Sequence, residues 1–249
     1  MWKRIQARCQ RDAARYLSTR HSAMRNRAPL ISFTFDDFPT SSLRVGGAIL
    51  KSFGYEATYY LSMGLMGKQD AAGQMFSMAD LLMLIEQGHE LGCHTFDHCP
   101  AWETKPQLFE KSILDNRAAL EGAVPGTSLQ TFSYPISEPR PKAKQITSKY
   151  FRCSRGGGQA VNAATMDLNY LKAYFLDARR SDLADVRSRI AENAQSNGWL
   201  IFATHDISVS PTAFGCTPEF FDNVVRSAAK SGARILPVAK ALGECLAES

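Results

Sequence analysis

The chain has 249 residues, 45% of them hydrophobic, and a formal net charge of +5. That length and apolar content suit one large α/β domain with a sizeable core and exclude disorder as the main state. The charge is uneven: residues 1–27 hold eight Lys or Arg against one acid, Asp12, and the other 222 hold 21 bases and 23 acids, which excludes a nucleic-acid binder whose positive potential covers the fold.

The basic head comes first. Trp2, Ile5, Cys9, Ala13, Tyr16 and Leu17 recur at near-helical spacing with arginines between them, which predicts a helical extension over residues 1–27. Two readings stay open. The helix lies across the outside of the domain with its Arg face solvated, or it makes peripheral contact with an anionic membrane. No apolar run follows the basic residues, so no secretory signal is expected. No stretch approaches the roughly 20 apolar residues of a spanning helix. Six cysteines in a chain this long do not make a disulfide framework and are read as free thiols in a reducing cytoplasm.

Strand-like and helix-like runs then alternate. Residues 31–35 (ISFTF) are β-branched and aromatic and stop at Asp36-Asp37. Residues 42–53 read as a helix closed by Gly54. A second strand covers 57–61, and Ser77 is placed to cap a helix over 78–87. A third strand covers 90–95, a helix 106–120, and a fourth strand 129–134, ended by Pro135. A helix over 142–150 leads to a short strand at 151–154. Residues 171–176 are another strand, and Ser181 is placed to cap a helix over 182–195. Residues 199–204 (WLIFAT) are almost wholly apolar, as in a strand buried on both faces. A helix over 217–231, a last strand over 234–238 and a helical tail complete the chain. The alternation predicts parallel strands with helical crossovers, in a barrel or an open sheet, with chemistry gathered at strand C-termini.

The suspect polar residues fall at those ends. His94 and His98, two of only five histidines, sit at i and i+4, a spacing that can chelate one ion or can be coincidence. Cys93 and Cys99 adjoin them directly, which argues against a structural zinc site, whose ligands are spaced by two to four residues. Asp36 and Asp37 end the first strand. They form a helix-capping pair, or they serve two centres, one binding a metal and the other holding a water or a proton. His205-Asp206 follow WLIFAT, where a histidine is a core side chain or a general acid or base. A metal held by His, His and Asp keeps a position open to water. With a second carboxylate and a facing histidine, the set suits hydrolysis of an amide or ester.

Thr34-Phe35-Asp36-Asp37, His94-Thr95-x-x-His98, Phe132-Ser133-Tyr134-Pro135 and Leu200 through His205-Asp206, in this order, resemble the polysaccharide deacetylases, the NodB-homology or carbohydrate esterase family 4 enzymes. The resemblance spans about residues 28–242 and implies one catalytic domain over 28–249, a distorted (β/α) barrel of about seven parallel strands. It implies one divalent metal, usually zinc with cobalt or nickel as alternatives, bound by Asp37, His94 and His98. It implies Asp36 as general base and His205 as general acid. An N-acetylated saccharide is then the substrate, its oxyanion met by the metal and a backbone N–H, that of Ile136. Non-sugar amides such as ureides, and saccharide binding without turnover, are the alternative readings. No nucleic-acid partner is expected.

Two departures stand out. The first motif usually continues D-G-P, and here Phe38 precedes Pro39. Phe38 either narrows the pocket rim or staples the next helix. In many members the third motif carries an Arg paired with the base aspartate, where this chain has Ser133. Asp36 still needs a partner to stay ionised among apolar walls, and Arg155, just past the next strand, is the candidate. Asp177, after strand 171–176, is the candidate to orient His205. The loop holding Pro211, Phe214 and Cys216 is placed to line the sugar site.

Overall fold

The computed structural model describes residues 14, 16–136, 138–177 and 182–247. Most of the head expected to be helical, and Ser181, expected to cap a helix, lie outside the described residues. Within the described part of the head, His21–Ala23 form strand β1 rather than helix.

The first half of the domain runs β2 (Leu30–Asp36), α1 (Ala48–Ser52), β3 (Thr58–Leu61), β4 (Gln69–Asp70), β5 (Gly73–Gln74), α2 (Met78–Glu86), β6 (Glu90–Cys93) and α3 (Pro106–Ala123). The second runs β7 (Thr131–Ser133), α4 (Pro141–Tyr150), β8 (Cys153–Gly158), β9 (Thr165–Asp167), β10 (Leu171–Phe175), α5 (Leu183–Gln195), β11 (Trp199–Thr204), α6 (Pro218–Ala229), β12 (Arg234–Ile235) and α7 (Val238–Leu246). Seven parallel strands close a barrel in the order β2-β3-β6-β7-β8-β10-β11, and β11 returns to β2 from Trp199 opposite Leu30 to Thr204 opposite Phe35. β12 takes the lower edge of β2 at Leu30 and Ile31, and β3 takes the same edge from Thr34 upward. The expected distorted (β/α) barrel is therefore the fold.

Alternation along the strands sorts the core into two shells. Phe33, Phe35, Tyr59 and Phe202 face the helices, where Phe221 of α6 meets the first two rings. Leu30, Trp199, Ile201 and Leu171 fill the lower interior with Val238, Ala241 and Leu242 of α7, which closes the barrel bottom. That closure is also polar. The Glu90 carboxylate accepts from Thr58 Oγ1 (2.9 Å), Thr131 Oγ1 (2.5 Å) and the Ala239 N–H (2.8 Å). Higher up the interior turns polar at Asp36 and Ser133, the last residues of β2 and β7, and at Arg155, which lies within β8 rather than past the strand predicted over 151–154.

Four local expectations need correction. The helix predicted over 42–53 opens as a π-helical turn at Ser42–Gly47, where a Cβ on Gly46 would meet the Phe35 ring at 2.9 Å. The strand predicted over 234–238 stops at Ile235, because Pro237 is the N-cap of α7. α5 is capped by Asp182, whose side chain accepts from the Ala184 N–H (2.8 Å). Two antiparallel pairs, β1 with β9 and β4 with β5, carried no predicted strand. Ser77 does cap α2, in a capping box with Asp80. Among the described residues no helix is long and apolar enough to cross a membrane, and the cysteines are free thiols.

Candidate active site

At the C-terminal mouth of the barrel lies a cavity of about 700 Å³. Asp36, Asp37, His94, His98, Tyr134, Ile136, Asp177 and His205 all line it. The backbone around it is unusual. Asp37, Phe38, Thr95, His98, Ile136 and Gln159 have φ between +50° and +63°, a region that side chains other than glycine rarely adopt. Such strain collects where a fold over-determines a functional geometry. At the end of β2 the two consecutive left-handed residues turn the chain sharply, so that adjacent carboxylates serve different partners.

Asp37 faces the two histidines. His94 Nε2 lies 3.5 Å and His98 Nε2 3.3 Å from Asp37 Oδ1, a buried oxygen without a hydrogen-bond partner. The candidate ligand atoms of the three residues lie within 4.8 Å of one another. Burial pushes the His94 imidazole down to about 3, so it is neutral and does not form an ion pair with Asp37. Its Nδ1–H donates to the Ser133 carbonyl at 2.8 Å, because a carbonyl only accepts, and this leaves Nε2 as a bare lone pair. Burial lowers His98 as well. Burial raises Asp37 to about 6, helped by the Asp36 and Asp70 carboxylates, although His205 opposes it. Convergent lone pairs, an orphaned carboxylate oxygen and a His fixed by a backbone carbonyl fit a divalent cation with N and O ligands.

Asp36 faces the other way, into the barrel. The Arg155 guanidinium contacts its Oδ1 directly, and Ser133 Oγ donates to the same oxygen at 3.2 Å. Burial alone would raise this carboxyl. Arg155 first, then His94 and His205, outweigh that and hold it at about 2. Arg155 is itself 1% exposed, lies over the Tyr60 and Phe175 rings, and donates to Ser133 Oγ at 2.5 Å. Asp36 therefore stays ionised in a nearly dry setting.

His205 follows β11. Its Nε2 lies 3.8 Å from Asp37 Oδ2 and its ring packs against Phe214, centroids 5.5 Å apart. Its Nδ1 is buried and has no hydrogen-bond partner among the described residues, so neither Asp177 nor Asp206 orients the ring through that nitrogen. Asp177 instead forms part of the cavity wall. Asp206 turns away, accepting from the Thr212 N–H (2.9 Å) and Thr212 Oγ1 (2.5 Å). Tyr134 offers its ring to the cavity while its hydroxyl pairs with Thr147 Oγ1 (2.7 Å) and the Asn169 carbonyl (3.1 Å) behind it. Pro135 is buried in the turn that brings Ile136 to the mouth.

Two further expectations are corrected. Phe38 does not reach the rim. It is fully buried, stacked on Phe76 at 4.7 Å and tilted against Tyr59. Cys216 does not line the cavity; it is buried behind it, and burial pushes its thiol up to about 12. Conversely, Tyr170, Phe175, Gln159 and the hairpin residues Asp70 to Ala72 line the cavity without having been anticipated. Phe175 was open to inference as the inward residue at a strand end. The hairpin residues, brought in by a long-range fold-back, carried no local signal.

A family profile described as polysaccharide deacetylase matches residues 23–153, which include Asp36, Asp37, His94 and His98. No curated protein matches the sequence significantly. Among solved structures, the Xyl-CE4 domain of a multidomain xylanase from the hindgut metagenome of Trinervitermes trinervoides aligns with a TM-score of 0.63 at 16% identity, over 88% of this chain and 91% of that one. A family 4 acetyl xylan esterase from Clostridium thermocellum, in complex with a cobalt ion, aligns with a TM-score of 0.59 at 19% identity, over 86% and 90%. A CE4 family pseudoenzyme from Bacillus anthracis aligns with a TM-score of 0.62 at 12% identity, over 88% and 67%. At these identities the likeness is one of fold, shared by active and inactive members alike. With the profile covering more than half of the sequence, this chain belongs to the polysaccharide deacetylase family, the family 4 carbohydrate esterases.

Proposed function

We propose that this chain is a metal-dependent hydrolase that removes N-acetyl groups from a saccharide, releasing acetate and a free amine. One observation carries the proposal. An aspartate held ionised by Arg155, an unsatisfied Asp-His-His donor set and a third histidine share one cavity. A non-catalytic fold has no need to keep all of them together.

Asp37, His94 and His98 would hold a divalent cation, with zinc proposed and cobalt or nickel as alternatives. When bound there, such a cation supplies Lewis acidity toward an acyl carbonyl and toward water. Asp36 accepts the proton of the attacking water, and its pairing with Arg155 and Ser133 keeps it oriented and unprotonated beforehand. The Ile136 N–H, held at the cavity mouth by a left-handed backbone, donates to the oxygen that becomes negative as the carbonyl carbon turns tetrahedral. His205 gives a proton to the departing nitrogen, so that a neutral amine leaves.

The test is acetate release from N-acetylated oligosaccharides, O-acetylated xylan fragments and ureides, using zinc-loaded protein. Release from the first group, abolished in Asp36→Asn while zinc stays bound, supports the proposal. Release from ureides or acetyl esters alone moves the substrate class. No release from any of them overturns it.

A further inference from the structure

Asp206 does not serve His205, and what it serves instead defines a part of the site that the reaction above does not use. The loop after β11 folds back on the Asp206 side chain. Its carboxylate accepts from the Thr212 N–H and Oγ1, its carbonyl accepts from the Cys216 N–H (3.1 Å), and the Ser208 N–H donates to the Cys216 carbonyl (3.2 Å). Gly215 passes so close that a Cβ there would lie 2.1 Å from the Asp206 carbonyl oxygen and 2.2 Å from Oδ1. The clamp holds one side chain out of the fold. Phe214 is 43% exposed, lines the cavity lip and packs on the His205 ring. A large aromatic group fixed at a cavity mouth, rather than buried, is equipped to receive a flat apolar ligand face.

The ligand chemistry follows from what surrounds it. A nitrogen within hydrogen-bond reach of His205 Nε2 places the atoms bonded to that nitrogen beside Phe214, whose centroid is only 5.5 Å from the imidazole. The rest of the wall sets the aromatic rings of Tyr170 and Phe175 among polar side chains, Asp177 and Gln159, whose Oε1 also accepts from the Phe175 N–H (2.8 Å). Stacking surface next to oxygen acceptors suits a ring whose faces are C–H and whose edge is hydroxyl, which is a pyranose. We infer that Phe214 is a saccharide platform, clamped in place by Asp206, Thr212 and Gly215, and that it binds the face of the sugar ring bearing the acylated nitrogen. This rests on the deacetylase reading for its choice of ligand.

The platform is tested by calorimetric titration of the zinc-loaded full chain carrying Asp36→Asn, so that turnover does not obscure binding. The probes are the trimer of β-1,4-linked N-acetylglucosamine and O-acetylated xylotriose. Phe214→Ala is expected to weaken binding about tenfold, and Phe214→Tyr, which keeps the ring, to stay within about twofold. Gly215→Ala, which pushes the clamp apart, should reproduce the loss with Phe214 intact. Equal binding by Phe214→Ala and its parent overturns the platform alone. Binding by the parent with no acetate release from the wild-type protein overturns the deacetylase reading alone. A parent that binds neither saccharide overturns the platform, and the deacetylase reading then stands or falls on acetate release by the wild-type protein.

Discussion

Ser133 and Arg155 are register partners across β7 and β8, and both reach the same oxygen of Asp36. In many family members the cation beside the base aspartate stands where this chain has Ser133. Here it comes from the adjoining strand at the same height of the barrel, and Ser133 bridges the two groups. Ser133 also accepts the His94 Nδ1–H on its carbonyl, so one residue connects the carboxylate proposed as base to a proposed metal ligand.

Arg155→Ala should reduce acetate release by about 10²-fold or more, because general base catalysis contributes on that scale and the carboxylate would lose its counterion. It should also destabilise the fold by roughly 3 kcal/mol, since it leaves Asp36 as a buried unpaired charge. Arg155→Lys should recover part of the stability and less of the activity, because an ammonium cannot reach Asp36 and Ser133 in the same planar way. Acetate assays and urea melts on both variants check this, and an Arg155→Ala enzyme with full activity rules the pairing out.

Zinc should raise the melting temperature of metal-stripped protein, because an ion that binds only the folded state stabilises it by mass action. Asp37→Ala and His98→Ala should each remove that shift. Ser133→Ala should keep it, because its carbonyl still accepts from His94. Calorimetric titration of zinc into the three variants distinguishes the cases, and undiminished affinity in Asp37→Ala would argue against the donor set.

How far the site was legible in sequence depended on where each residue sits. Asp36, Asp37 and His205 stand at or just past the ends of strands whose apolar, β-branched character marks them locally, His94 follows the less marked Glu-Leu-Gly-Cys strand, and parallel α/β barrels place such positions at one mouth. Arg155 was legible only as the nearest cation just past the short run at 151–154, since β8 itself, Cys-Ser-Arg-Gly-Gly-Gly, carries no apolar pattern. Phe38 was not, because the direction of its side chain is set by two successive left-handed residues that no pattern announces. The roles of Asp177 and Asp206 were likewise hidden, since Asp206 is engaged by Thr212 through loop geometry. The β1–β9 and β4–β5 pairs join two- and three-residue strands, too short to show alternation.

Ile136 carries a β-branched side chain at φ +62° with 62% of its surface exposed. The side chain contributes little burial, and the backbone conformation costs it roughly 1–2 kcal/mol. Ile136→Gly should therefore be neutral or stabilising by up to about 1 kcal/mol, in contrast to the usual loss on introducing glycine. Denaturant melts decide it; a variant destabilised by more than 1 kcal/mol would show that the side chain, not the backbone, holds the turn.

His89 gives the fold an acid-sensitive element away from the active site. Its Nδ1 accepts from the Ala57 N–H at 3.0 Å, so the neutral ring carries its proton on Nε2. Burial pushes it down to about 4 from the ordinary 6.5, with Lys51 adding to the effect and Glu56 opposing it. The unfolded chain takes up this proton below pH 6.5 and the folded chain does not until about pH 4. The stabilisation is thus complete above pH 6.5 and is lost as the pH falls toward 4, by up to roughly 3 kcal/mol. His94 is lowered too and acts in the same direction, so the wild-type slope alone does not isolate His89. His89→Gln keeps an acceptor for Ala57 and cannot take up a proton. Its urea stability should be somewhat lower at neutral pH and fall less steeply between pH 6.5 and 4.5. Identical slopes in the two proteins would assign the acid sensitivity to other groups.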